Sequence, residues 1–85
     1  MKITLNDFLA TLNDKERKDV EKSFARDKEW YVAQSEDEII QVLIFNILWY
    51  YKTLIEYCQD MQQAREYVKR KAQVYQEWKK LGLVE

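Results

Sequence analysis

Ile39-Ile40-Gln41-Val42-Leu43-Ile44-Phe45-Asn46-Ile47-Leu48-Trp49-Tyr50-Tyr51 contains only two polar residues, Gln41 and Asn46, and its apolar character continues through Leu54, Ile55, Tyr57, Cys58 and Met61. A membrane span needs ~20 mostly apolar residues. Lys52, Thr53 and Glu56 interrupt before that length, and an acidic triplet rather than a basic flank precedes the run, so it reads as a buried core helix and not as a membrane segment. At about 100° per residue the helix sorts into a broad apolar face (Ile39, Ile40, Leu43, Ile44, Ile47, Leu48, Tyr50, Tyr51, Leu54, Ile55, Cys58, Met61) and a polar sector. Val42, Phe45 and Trp49 fall inside the polar sector at i, i+3 and i+7. They form a second apolar ridge, which predicts that this helix is covered on more than one side, by the first helix or by another chain.

Immediately upstream, Ser35-Glu36-Asp37-Glu38 carries a capping box from Ser35 to Glu38, with three carboxylates at the positive end of the helix dipole. That role accounts for the acidic cluster without a metal. Downstream, Asp60 and Gln63 either cap a new helix or lie in a continuous one. The last helix runs to Leu81 and stops at Gly82, with Lys79 and Lys80 suited to its negative end.

Toward the N-terminus, Thr4 and Asp7 cap a short helix whose apolar side is Leu5, Phe8, Leu9 and Leu12. Asn13 or Asp14 starts the next one. The stretch from Asp14 to Glu29 holds six acidic and six basic residues, and its narrow apolar stripe of Val20, Phe24 and Tyr31 is intruded on by Asp27. It reads as a solvated outer helix, with Trp30 off the stripe.

The whole chain has 85 residues, no proline and one glycine. Hairpins, sandwiches and barrels need turn residues at nearly every reversal, so the fold class is all-α. The expectation is a single domain over 1–85, an antiparallel bundle of four helices near 4–12, 14–33, 36–59 and 61–81. A three-helix version with a long fused third helix is the alternative.

Composition also removes functions. With 14 basic and 15 acidic residues the net charge is -1, which offers no overall attraction to nucleic acid or anionic lipid. Histidine is absent, and with it the commonest general base and zinc ligand. The only glycine, Gly82, cannot build a phosphate-cradling loop. Cys58 sits on the apolar face as a structural thiol, and Lys71, amid Tyr67, Tyr75 and Trp78, reads as a snorkelling side chain. Neither catalytic nor metal-ligating residues are expected, and no cofactor or small-molecule substrate. A single cysteine and no signal pattern at Met1-Lys2-Ile3-Thr4 suit a cytoplasmic protein.

Three Trp, six Tyr and three Phe are many rings for so small a chain to bury, and Trp and Tyr favour interfaces. The function expected is therefore non-enzymatic protein binding, by self-association or by docking on a larger partner as an adaptor or inhibitor. The candidate residues are Val42, Phe45, Trp49 and Trp30. A second reading is nucleic-acid binding through Arg65, Lys69, Arg70 and Lys80, because residues 61–85 carry six basic and three acidic side chains, a local net of +3.

Overall fold

A computed structural model describes residues 3–85. Among these the chain forms five helices and no strand: α1 (Leu5–Leu9), α2 (Asp14–Arg26), α3 (Lys28–Val32), α4 (Glu36–Tyr57) and α5 (Met61–Lys80). The all-α class follows directly. The chain divides into two compact units, one reaching Ile44 and the other beginning at Phe45, so the boundary falls within α4.

In the first unit, polar side chains set the starts of α1, α2 and α4, while α3 begins without a side-chain cap. Thr4 Oγ1 accepts from the Asp7 amide at 3.1 Å while Asp7 Oδ2 accepts from the Thr4 amide at 3.1 Å, completing a capping box. After α1 the Thr11 hydroxyl donates to the Phe8 carbonyl (2.7 Å) and Arg17 Nε donates to the Leu9 carbonyl (3.3 Å), adding side-chain donors to carbonyls that also accept the Thr11 and Leu12 amides. A second capping box opens α2: Asn13 Oδ1 accepts from the Glu16 amide (2.9 Å) and Glu16 Oε1 accepts from the Asn13 amide (3.0 Å). Glu36 Oε1 accepts from the Leu5 amide at 3.4 Å, so one carboxylate of the acidic triplet ties the start of α4 to α1. Ser35 Oγ accepts from the Glu38 amide at 3.3 Å, the capping contact read from their spacing.

Two expectations for this unit are corrected. The single helix over 14–33 is broken at Asp27, whose φ of -114° and ψ of 34° leave the helical region. The carboxylate that intruded on the apolar stripe turns instead to Arg26, with Nε and NH2 each 3.0 Å from its Oδ2. The bend folds α3 back, so that the Tyr31 hydroxyl bonds Ser23 Oγ at 2.7 Å in a buried place and the Tyr31 ring meets Phe24 edge-on at 4.8 Å. The charged run, moreover, is not all solvated. Glu16 is fully buried on the same stripe as Val20 and Ser23, at i, i+4 and i+7. Every buried side-chain N or O atom among the described residues has a partner. Phe8, Leu12, Ile39, Ile40, Leu43 and Ile44 complete the buried set of this unit.

In the second unit, α4 ends at Tyr57 and Asp60 starts a separate helix, its Oδ1 accepting from the Gln62 and Gln63 amides at 2.9 and 3.3 Å. The fused-helix alternative is thereby excluded. Cys58 is half-buried rather than enclosed, and its thiol donates to the Asp60 carbonyl at 3.2 Å. Across the turn, the rings of Tyr51 and Tyr67 lie 6.3 Å apart. Ile47, Tyr51, Val74 and Trp78 are buried, and Tyr67, Lys71 and Tyr75 are half-buried.

The C-terminal stop is a complete left-handed cap. Gly82 has φ of 76°, its amide donates to the Lys79 carbonyl (3.0 Å), and the Leu83 amide donates to the Trp78 carbonyl (2.9 Å). The Tyr75 hydroxyl then holds the tail by donating to the Glu85 carbonyl (2.8 Å). A Cβ at position 82 would meet no atom within 4 Å. Gly82→Ala is therefore expected to cost only the backbone strain, ~1 kcal/mol or a fall in Tm of ~4–8 °C, measurable by thermal denaturation.

Candidate protein-docking surface

The apolar ridge read from the wheel divides in the structure. Phe45 is 67% exposed and Trp49 58% exposed, and their rings stack one turn apart, with centroids at 6.5 Å and planes at 12°. Both rings are carried by α4, whose opposite side buries Ile47 and Tyr51. A helix cannot bury all sides against one neighbour, and residues 45 and 49 lie about 40° apart on the surface left over. Val42 is half-buried and belongs to the first unit. Trp30 also belongs to the first unit; it is 43% exposed, and its ring lies 5.0 Å from that of Tyr31 at 83°. The structure thus brings Phe45 and Trp49 together.

Lys52 is a member of this surface that the sequence reading did not single out. Its ammonium lies 5.1 Å from the centroid of the Trp49 ring. Such a cation–π contact contributes ~0.5–1 kcal/mol at an exposed site. The i, i+3 spacing of Trp49 and Lys52 is the signal in the sequence that points to it. The result is a short apolar platform with a cation fixed at one end, a surface that offers ring area, an indole N–H and a positive charge within two turns of helix.

On α5, Arg65, Lys69 and Lys80 are exposed. Arg70 is half-buried and engaged with other groups, so it does not stand in one solvent-facing row with them. Val68 is exposed, because it sits about 80° around the helix from Trp78 and about 120° from Val74, the residues that define the buried side. Met61, expected on the broad face of the central helix, starts α5 and is exposed.

Among the described residues no group of three or more Asp, Glu, Cys or His side chains is placed to hold a metal ion. Helix α4 has 22 residues and is long and apolar enough to cross a membrane by length and composition, despite the interruptions at Lys52, Thr53 and Glu56. Core helices of soluble proteins meet the same description, and 33% of its most apolar stretch is buried. Compared with protein-family models, with curated proteins and with solved structures, the chain matches none.

Proposed function

We propose that this chain is a non-enzymatic protein-binding module, a small antiparallel helical bundle that docks on a protein partner, or on another copy of itself, through the aromatic side of α4. The observation that carries the reading is the exposed, stacked pair Phe45 and Trp49 with Lys52 over the indole. Large rings left in water in a chain that buries Trp78 and Phe8 completely are costly unless something covers them. Trp in particular serves as an anchor in the centre of protein interfaces, where its loss removes much of the binding energy. Val42 and Trp30, in the first unit, are separate candidate contact residues and are not counted with the pair.

The test is affinity capture from the native cell with the wild-type chain and with the F45S/W49S double variant as baits, read by mass spectrometry alongside sedimentation of each pure protein. One partner, or self-association, is expected with the wild type and is expected to weaken at least tenfold in the variant. Equal capture by both baits, with equal sedimentation, would remove the ridge from the function.

A second reading is nucleic-acid binding by the C-terminal helix, favoured by the exposure of Arg65, Lys69 and Lys80. Such contacts weaken steeply with salt. A titration with labelled duplex and single-stranded nucleic acid at two salt concentrations separates it from protein docking.

A further inference from the structure

Helix α5 presents a shallow groove of about 330 Å³ lined by Met61, Ala64, Arg65, Val68 and Lys69. The first four stand at i, i+3, i+4 and i+7. That is the spacing of the four residues that make the hole for a knob from a facing helix. Ala64 is the small floor of the hole, and Met61 (73% exposed) and Val68 (51% exposed) are its apolar ends. Arg65 and Lys69 stand one turn apart on the lip, and neither has an ion-pair partner among the described residues. Like charges at this spacing repel, so a carboxylate set between them is favourable twice over. The segment that bears them has the local net of +3.

The combination is specific about chemistry. A phosphate backbone would use the two cations and leave the apolar floor empty. A bilayer would need a wider apolar face than one methionine, one alanine and one valine provide. A helix needs what is present: a hole for one apolar knob and charges beside it to choose the partner. We infer that this groove receives an acidic amphipathic helix of a protein partner, which sets an apolar side chain over Ala64 between Met61 and Val68 and places carboxylates against Arg65 and Lys69. The site stands on α5 alone and does not depend on the aromatic pair of α4.

The test uses the full chain and two labelled helical peptides of about four heptads, both with Leu at positions a and d, one with Glu and the other with Lys at e and g. By fluorescence anisotropy at low salt, the Glu peptide is expected to bind about tenfold more tightly than the Lys peptide, with the gap narrowing as salt rises. Ala64→Gln fills the hole and is expected to weaken the Glu peptide more than tenfold. R65E/K69E is expected to reverse the preference. Arg65 and Lys69 are exposed and Ala64 is half-buried at the edge of the core side, and thermal denaturation of each variant shows whether it folds; if one does not, the two peptides on the wild-type chain decide. Equal binding of both peptides, binding of neither, or an unchanged preference in R65E/K69E would overturn the inference. So would self-association that Ala64→Gln abolishes, which would make a second copy the occupant, or tighter R65E/K69E-sensitive binding of duplex DNA or phosphatidylserine vesicles than of the Glu peptide.

Discussion

Trp78→Ala is expected to lower the free energy of unfolding by about 3–5 kcal/mol, a large part of the ~5–15 kcal/mol that a small domain has in total. The indole is fully enclosed, and the Trp78 carbonyl accepts the Leu83 amide in the cap that ends α5. Truncation leaves the apolar surroundings of the ring without contact and creates a cavity that the helix backbone cannot collapse to fill. Urea denaturation followed by circular dichroism measures the loss. Trp49→Ala provides the comparison on the same unit of the chain. Its ring is mostly in water, so its removal is expected to cost under ~1 kcal/mol, chiefly the stacking on Phe45 and the contact with Lys52. A Trp78→Ala protein as stable as the wild type would mean that the core of this unit does not include the ring.

Glu16→Ala is the second large effect, about 2–4 kcal/mol. Removing the side chain deprives the Asn13 amide of its acceptor, opens half of the capping box at the start of α2, and empties a fully buried position. Loss of a cap costs ~0.5–2 kcal/mol, and a part-buried donor left unmatched adds toward the low end of ~1–3 kcal/mol. Glu16→Gln keeps an oxygen able to accept from Asn13, since Gln also serves at this place in a capping box, and is expected to cost less than half as much. Amide hydrogen exchange at Asn13 distinguishes the two: faster in the Ala variant, close to wild type in the Gln variant. An Ala variant within ~0.5 kcal/mol of wild type would show that the buried carboxylate is not a stabilising element.

Much of the helical layout was legible because short-range chemistry decides it. Thr4 with Asp7, Ser35 with Glu38, and Gly82 after Lys80 are local signals whose meaning does not depend on the rest of the fold. At Asn13 and Asp60 the sequence allowed two readings, and the hydrogen bonds of each side chain to the amides after it settle both. The break at Asp27 was visible only as a charge on an apolar stripe. What it does depends on Tyr31 reaching back to Ser23, a contact between residues whose pairing no periodicity announces.

Glu16 was hidden for a different reason. In a run of twelve charges a carboxylate is ordinarily solvated, and only its place on the stripe with Val20 and Ser23, together with Asn13 three residues before it, distinguishes the buried one. For the candidate surfaces, the helical wheel separated Phe45 and Trp49 from the core face of α4, which is as far as periodicity reaches. It could not say whether another helix covers them. That depends on tertiary packing, and in the structure their rings are exposed. On α5 the buried side centres on Val74 and Trp78 and is narrower than the spread of its apolar residues, which leaves Val68 exposed.

The proposal that the aromatic side of α4 is a docking surface, and not core, is tested most directly by urea unfolding of the F45S/W49S protein. The expected result is cooperative unfolding with a stability within ~1 kcal/mol of the wild type, because both rings already stand in water. A double variant that is unfolded, or that loses ~3 kcal/mol or more as a buried ring would, would contradict it.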